Sequence, residues 1–344
     1  ALGLLYNWMA WILMGVGVIL CLVEVLHYRV FYREIVTRMM TRLLRQQSLW
    51  ERILFILLVL NLLYPLIGYA LVPPISWDEV AYHLAIPKIY IQNHRIVYIP
   101  FIPYSNWPLG AEMLFTLGLL LGSEILAHLV GWSALLLACS GLWLFGNRYL
   151  GRTQGQLAAV FFAATPMVGA LAGTALVELP LALFTFLAVF AFIKWIEKKE
   201  RRWWLLSSVF GGFAASTKLN GALVPLILGL LIAVETFCSH HQRVLNSLKL
   251  LGTYGLVSLV VVSPWYLKSF VYTSNPFWPF FIGVLGGKNW DALGNEYLFG
   301  FIKLVNMPLT IPNWLLGLWH LTTQSDVFGP YRVAIGWYLS LIHI

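Results

Sequence analysis

Charged residues are scarce in this chain. Asp, Glu, Lys and Arg make up 10% of its 344 residues, whereas a soluble domain carries roughly 25%. Hydrophobic residues make up 60%, and the mean hydropathy is +0.79. This composition excludes an ordinary soluble domain. It predicts an all-α fold, a polytopic bundle of transmembrane helices.

Cysteine is also scarce, and no repeat of fixed period is visible. Cys21, Cys139 and Cys238 lie in or next to apolar segments, which indicates small buried hydrophobic residues rather than a disulfide framework or a set of metal ligands. The net charge of +8 reflects membrane topology, as the distribution of basic residues below indicates. We therefore predict no nucleic-acid partner.

Long apolar runs are abundant. Ile53–Val72 contains 20 residues without a charge, enough to cross a hydrocarbon core of roughly 30 Å. The stretch 203–237 would form a helix too long for a bilayer, so we predict a break at the turn dipeptide Asn220-Gly221. The predicted spans are 2–25, 53–72, 124–145, 156–173, 179–196, 203–219, 221–237 and 247–262. The predicted outer loops are 73–123 and 263–330.

Two other segments are not expected to cross the membrane. Tyr28–Arg52 alternates arginines with large apolar residues at helical spacing, which predicts an amphipathic helix on an anionic membrane surface. Ala111–Gly122 is apolar but short, so we predict a half-embedded helix within a helical first outer loop. We expect 1–338 to be one transmembrane domain, truncated at both ends. Residues 339–344 resemble the translated read-through of a sequencing adapter and are set aside.

Lysine and arginine gather on one side of this topology. By the positive-inside rule, the segments that contain most of them are cytoplasmic. Fifteen of the 22 lie in four predicted connections: 28–52, 147–155, 194–202 and 238–249. Asp78, Glu178, Lys218 and Lys268 all fall on the opposite, outer side, although they come from separate parts of the sequence. We expect these four side chains to face one outer cavity.

The polar segment Ser76–Arg95 organises the chain. A proline pair ends the preceding span, so this segment lies at the water interface. Asp78 either complements the dipole of a helix start or carries function, and an ionisable group beside lipid favours function. Glu79 either completes a Ser-x-x-Glu capping box with Ser76 or acts in the site.

Other polar residues also have a structural and a functional interpretation. Glu178 begins a span, where a carboxylate complements the helix dipole. Lys218 and Lys268 either snorkel to the interface or bind an anion, and the predicted break beside Lys218 favours an anion pocket. His83 is either a ligand or acid, or a structural hydrogen-bonding residue.

Two carboxylates and two lysines at one outer cavity suit sugar transfer from a lipid phosphate. A carboxylate takes the proton from an acceptor hydroxyl as the hydroxyl attacks the anomeric carbon. A lysine stabilises the negative charge on the departing phosphate. Such a displacement inverts the anomeric centre and needs no nucleotide.

Several motifs occur in order along about Ile53–Tyr297. They are Asp78-Glu79, Asn106-Trp-Pro-Leu-Gly110, Glu178, Ser216-Thr-Lys-Leu-Asn-Gly221, and Ser263-Pro-Trp-Tyr-Leu-Lys268 with Asn275-Pro276. A further pattern, Asp-x-x-x-Tyr-His-x-x-x-Pro-Lys, is met at Asp78, Tyr82, His83, Pro87 and Lys88. In these motifs the chain resembles bacterial GT-C glycosyltransferases that use polyprenyl-phosphate sugars. This family 39-like group contains the protein O-mannosyltransferases and the lipid A aminoarabinose transferases.

The resemblance implies roles for these residues. Asp78 would be the catalytic acid/base, Glu178 a second acid and Lys218 a phosphate contact, while Glu79 is shared with the mannosyltransferases. Ala111-Glu112 stands where the family often has a lysine, so Lys88 or Lys268 would supply that contact. His83 and Tyr82 complete the predicted substrate-binding set. No cofactor is required by the sequence, although some members hold a divalent metal between acids such as Asp78 and Glu178.

The implied reaction defines the expected partners and location. The donor is a polyprenyl-phosphate-linked sugar delivered by membrane lipid, and the acceptor is a lipid, a glycan or a protein. The expected location is the bacterial inner membrane, with the site on the periplasmic face. A carrier or flippase for an anionic substrate is the alternative, but transport predicts charges at mid-membrane depth and paired repeats. A non-catalytic assembly subunit would leave the acidic residues on the outer side of the membrane unexplained.

Overall fold

The computed structural model describes residues 3–27, 29, 33, 37, 48–238 and 244–289. Within this part of the chain all regular elements are helices, which confirms the predicted all-α fold. The α-helices are α1 (Asn7–His27), α2 (Leu49–Pro65), α3 (Ala85–Gln92), α4 (Gly110–Leu120), α5 (Glu124–Tyr149), α6 (Arg152–Ala164), α7 (Pro166–Ala172), α8 (Glu178–Lys198), α9 (Arg201–Thr217), α10 (Leu223–Cys238), α11 (Val244–Thr273) and α12 (Ile282–Leu285). There are also two π-helices, Leu66–Ala70 and Glu79–His83, and two 3-10 helices, Pro103–Asn106 and Leu219–Ala222.

Six helical segments in the described residues are long and apolar enough to cross a membrane. They are Asn7–His27, Leu49–Ala70, Glu124–Tyr149, Glu178–Lys198, Leu219–Thr236 and Ser247–Thr273. Helices α6 and α7 meet at an angle of 70° and would make a seventh span if they cross together. The protein is therefore a multi-pass membrane protein with a helical first outer loop.

Helix α8 packs in two buried clusters. Near its start, Leu179 and Leu183 join side chains from α2, α5, α6 and α7. Near its end, Ala188 and Trp195 join side chains from α9, α10 and α11. A helix of 21 residues is about 30 Å long. Its first residue, Glu178, is therefore about one bilayer core away from its last, Lys198.

Charged side chains pair at the end of the bundle that contains the end of α8. Lys194 donates hydrogen bonds to Tyr149 and Glu197, both at 2.7 Å, and Arg148 lies 3.6 Å from Glu197. Arg152 lies 3.5 Å from Glu51. These contacts join the predicted cytoplasmic connections 147–155 and 194–202 at one end of the helices.

One predicted helix end differs from the structure. The span predicted to end at Val262 continues as α11 through Pro264 to Thr273. Proline removes one backbone donor, but a spanning helix tolerates it where the freed groups find other partners. The amphipathic helix predicted over Tyr28–Arg52 falls mainly outside the described residues, as does the segment 339–344.

The chain divides into two compact units, Ala1–Ser269 and Phe270–Ile344. In the described part of the second unit, 270–289, Asn275 organises a turn. Its amide nitrogen donates to the carbonyls of Phe280 and Gly286, at 2.8 and 3.2 Å. Its side-chain oxygen accepts from the backbone N–H of Phe277 at 2.9 Å. The motif Asn275-Pro276 therefore has a local structural role in this unit.

Candidate active site

The Asn106–Gly110 and Ser216–Gly221 motifs meet where α4 begins and α9 ends. A Cβ atom added to Gly110 would lie 2.8 Å from the carbonyl oxygen of Ser216, closer than such atoms normally approach. Only glycine lets the two backbones come this near. The first outer loop is thereby packed directly against the broken span.

A cavity lies beside this contact, and we call it the site cavity. It contains about 370 Å³ of empty space, including space open to solvent. Its polar and aromatic lining comes from the first outer loop and from the end of α9: Tyr82, His83, Tyr104, Trp107, Glu112 and Lys218. The segment 103–109 forms one wall, through Tyr104 in the 3-10 helix and through Trp107 after it.

The break in the long span positions Lys218. Helix α9 ends at Thr217, Lys218 itself is extended at φ −155° and ψ 150°, and a 3-10 turn follows. Lys218 Nζ donates to Glu178 Oε1 at 2.8 Å, and both side chains are 38% exposed. The pair joins the start of α8 to the end of α9, at the opposite end of the bundle from Lys194.

Gly221 allows this break to form. A Cβ atom there would lie 2.0 Å from the carbonyl oxygen of Ala214, while its own N–H donates to the carbonyl of Lys218 at 2.9 Å. We therefore expect Gly221→Ala to displace the turn and cost about 1–3 kcal/mol of stability through overpacking. Thermal unfolding in detergent measures this. Gly252→Ala in α11 is the matched control, because a Cβ atom there has no neighbour within 4 Å. An unchanged transition in Gly221→Ala would contradict the assigned close packing.

Glu112 binds His83 inside the site cavity. His83 Nδ1 lies 2.8 Å from Glu112 Oε1, and the two residues are 5% and 3% exposed. His83 ends the π-helix Glu79–His83, a form of helix often found at functional sites. Glu112 lies in the first turn of α4. The contact brings together two residues 29 positions apart in the sequence.

The charges of three carboxylates act on the phenol of Tyr82. Burial raises the pKa of Tyr82 above its ordinary value, and the negative charges of Asp78, Glu178 and Glu112 raise it further. These carboxylates are therefore close enough to act electrostatically on one side chain. Asp78 is exposed and lies one turn before Tyr82, outside the residues that line the site cavity.

Glu79 is fully buried, away from the site cavity lining. Its Oε1 accepts a hydrogen bond from the N–H of Ala175 at 2.6 Å and lies 2.6 Å from His128 Nε2. Burial alone would raise the pKa of Glu79, but His128 and the backbone N–H groups of Ala175 and Ser76 outweigh burial and lower it. The contact from Ser76 agrees with one half of the predicted capping box. The interactions fix the π-helix to α5 and to the loop before Glu178.

Lys268 and Lys88 occupy positions other than the predicted phosphate contact. Lys268 is 8% exposed and donates to the backbone carbonyls of Ser105 and Trp107 at 2.6 and 2.9 Å. It therefore supports the wall of the site cavity from behind. Lys88 pairs with Glu124 at an exposed position. In both cases the amine is engaged by another group of the protein.

The predicted metal ligands do not form a ligand set. Among the described residues, no group of three His, Cys, Asp or Glu side chains is placed to hold an ion. Asp78 and Glu178 are two carboxylates, and one oxygen of Glu178 already pairs with Lys218. A divalent cation can also take oxygen ligands from water and substrate phosphate. Asp78 and Glu178 are the residues that would contribute carboxylates, and we derive no step through an ion.

Comparison with known families now identifies the fold of the site. The sequence model for the dolichyl-phosphate-mannose-protein mannosyltransferase family matches residues 106–267. These residues carry a GT-C glycosyltransferase domain. The matched segment contains Glu112, Glu178 and Lys218, while Asp78 and His83 precede it. The matched segment and the multiple apolar helices support a membrane glycosyltransferase of the GT-C type.

The chain was also compared with individual proteins and with solved structures. The chain is similar to an uncharacterised protein of Shigella flexneri, with 29% identity over 153 residues that cover 41% of this chain and 75% of that protein. No solved structure matches the chain. The family assignment therefore rests on sequence motifs, and the geometry of the site comes from this structure alone.

The sequence did not indicate two buried residues, one that lines the site cavity and one beside it. Glu112 was noted only where it departs from the family pattern, and His128 was not singled out. Each is buried and pairs with a residue of the π-helix: Glu112 with His83, and His128 with Glu79. An acidic residue and a histidine inside apolar helices were the only signal available. Their partners could not be read from spacing.

Proposed function

We propose that the protein transfers a sugar from a polyprenyl-phosphate donor to an acceptor hydroxyl, with inversion at the anomeric carbon. The observation that carries this proposal is the site cavity, where Lys218 and Glu112 line the wall and Lys218 binds Glu178 at 2.8 Å. A lysine and nearby carboxylates supply an anion contact and a proton acceptor at one place. The cavity lies at the end of the bundle away from the basic connections.

Asp78 is the proposed catalytic base. Its side chain is exposed, and no described residue hydrogen-bonds to it, so it is open to an incoming hydroxyl. As the acceptor oxygen bonds to the anomeric carbon, its proton passes to the Asp78 carboxylate. The bond from that carbon to the phosphate oxygen breaks on the opposite face. The lipid phosphate leaves with the electron pair, and the sugar centre is inverted.

Glu178 and Lys218 are proposed to act on the phosphate side. Lysine has three N–H donors, and Glu178 accepts one of them from Lys218. The others remain for phosphate oxygens. Glu178 holds the ammonium at the cavity edge, so this second acid acts through Lys218.

Lys218→Ala is expected to weaken donor binding about 10–100-fold. A hydrogen bond to a charged group contributes about 1.5–3 kcal/mol, and each 1.4 kcal/mol is a factor of ten in affinity. Binding of a polyprenyl-phosphate sugar to the purified protein measures the effect. Lys88→Ala is the matched control, because Lys88 pairs with Glu124 outside the cavity lining. Unchanged donor affinity with reduced turnover would mean that Lys218 stabilises only the transition state and does not contribute to donor binding.

The proposed location is the bacterial inner membrane, with the site on the periplasmic face. The basic connections 147–155 and 194–202 lie at one end of the helices, and the positive-inside rule assigns such loops to the cytoplasm. The opposite end contains Glu178 and Lys218. A lipid-linked donor would reach this end laterally from the outer leaflet, and the acceptor would be a lipid, a glycan or a protein hydroxyl.

The decisive experiment is incubation of the purified protein with polyprenyl-phosphate sugars and a membrane extract as the source of acceptor. We expect acceptor-dependent release of lipid phosphate and a glycosylated product with inverted linkage. A carrier or flippase would bind or move the donor and release no lipid phosphate. That outcome would refute the proposed function.

A further inference from the structure

The His83–Glu112 pair has a geometry that the reaction above does not use. A carboxylate oxygen accepts, so His83 Nδ1 carries the hydrogen that bonds to Glu112 at 2.8 Å. Nε2 is then the ring nitrogen left for a ligand, and no described residue hydrogen-bonds to it. Glu112 is 3% exposed, and its second oxygen, Oε2, has no hydrogen-bond partner among the described residues.

A buried carboxylate is an unexpected group in a cavity that is to hold a phosphate. Two negative charges repel each other strongly where water is excluded. The repulsion is offset if the carboxylate is neutralised by a cation on the ligand side. His83 stands in that place, because it lines the site cavity and binds Glu112 directly. An imidazole oriented by a carboxylate is a recurring device for moving protons.

We infer, on the basis of the proposed function, that His83 is the general acid that protonates the departing lipid phosphate. In this step the bond between the anomeric carbon and the phosphate oxygen breaks, and that oxygen takes the bonding electron pair. His83 Nε2–H gives its proton to the same oxygen, and the imidazolium becomes a neutral imidazole. Solvent returns the proton after the lipid phosphate leaves. Glu112 is the positioning residue, which orients His83 through the contact with Nδ1.

The placement of the charged groups favours a role for His83 at the leaving group rather than at the acceptor. His83 shares the cavity lining with Lys218, the proposed phosphate contact, whereas Asp78 is not among the lining residues. His83, rather than Asp78, therefore shares the cavity wall with the proposed phosphate contact. The titratable groups around His83 come from each packed element: Tyr82 beside it, Tyr104 in the 3-10 helix, Glu112 in α4, Glu178 in α8, Lys218 after α9 and Lys268 in α11.

The dependence of turnover on pH tests the inference. For the unmodified protein, kcat should fall at high pH as His83 loses its proton. In His83→Gln, kcat should fall about 10²–10⁴-fold, the usual contribution of a general acid, and this high-pH fall should vanish. In Glu112→Gln, the amide oxygen can still accept from Nδ1, but the charge that favours imidazolium is gone. The high-pH fall should then move to lower pH.

His94→Gln is the matched control, because His94 lies in the same outer loop, stacks on Tyr6 and does not line the cavity. Its activity and pH profile should be unchanged. If His83→Gln proves unstable, Glu112→Gln decides. An unmoved profile in Glu112→Gln, or full turnover in His83→Gln, would overturn the inference while leaving sugar transfer intact. Failure of the unmodified protein to release lipid phosphate would instead refute the proposed function itself.

Discussion

Asp78→Asn is expected to lower kcat for sugar transfer by about 10²–10⁴-fold, the contribution of a general base. The amide cannot take the proton of the acceptor hydroxyl, although it has nearly the same shape as the carboxylate. Because Asp78 is exposed and no described residue hydrogen-bonds to its side chain, stability should change by less than about 0.5 kcal/mol. Turnover and thermal unfolding of the same preparation measure both effects.

The control for this variant is Glu124→Gln, which removes another outer carboxylate. Glu124 is paired with Lys88 at the surface and lies outside the site cavity lining, so turnover should be unaffected. If Asp78→Asn keeps full turnover, Asp78 is not the base. Loss of folding in Asp78→Asn would also contradict the description of this side chain as free of structural contacts.

The neighbouring carboxylate, Glu79, should matter for stability, and its partner His128 provides the test. His128→Leu, which leaves Glu79 buried without its partner, is expected to cost about 3–5 kcal/mol of stability, as for other broken buried pairs. Glu79 is 0% exposed and His128 is 1% exposed. Because the carbonyl of Ala70 can only accept, His128 Nδ1 donates to it at 3.2 Å. Nε2 is therefore the ring nitrogen that faces Glu79 Oε1, at 2.6 Å, and removal of either residue leaves the other without this partner.

The pH dependence of stability provides a second measurement of the same pair. The pKa of Glu79 is lowered in the folded protein, so its contribution to stability is present above its unfolded pKa. That contribution is lost as the pH falls through the lower folded value. The unmodified protein should therefore lose stability in acid, and Glu79→Gln should show less of this loss. Glu124→Gln, at an exposed pair, should cost only about 0–1 kcal/mol.

Together the two variants assign different roles to adjacent acids. Asp78→Asn should lose chemistry and keep stability, whereas His128→Leu should lose stability. Glu79 bonds to the N–H of Ala175, three residues before Glu178. The contacts of Glu79 with His128 and Ala175 therefore fix the segments that contain Asp78 and Glu178. If His128→Leu unfolds at the same temperature as the unmodified protein, the buried pair does not have this structural role.

The helices could largely be predicted from the sequence because bilayer thickness constrains their length. The break near Asn220-Gly221 was predicted from an excess of length, and the structure interrupts the span at Lys218 through Ala222. Pro264 was misleading, because a proline that ends a helix in water is tolerated within α11. The bend of 70° between α6 and α7 was not predicted, since a single apolar run, 156–173, covers both helices.

The site was predicted less completely than the helices. Sidedness and motif order indicated Tyr82, His83 and Lys218, and all three line the site cavity. The partners Glu112 and His128 follow from tertiary packing across 29 and 49 positions, which no local pattern encodes. A phosphate contact by Lys268 or Lys88 was expected because Ala111-Glu112 replaces the lysine often found in the family. The ammonium of Lys268 donates to two backbone carbonyls, an arrangement that depends on the path of the loop at Ser105 and Trp107.

The measurement that tests the central claim most directly is cross-linking by a donor with a photoreactive group next to its phosphate. The peptides that become attached are then identified. The proposed mechanism predicts attachment within 82–83, 104–112 and 217–219, the segments that line the site cavity. Attachment within 148–152 or 198–202, at the basic end of the helices, would contradict it.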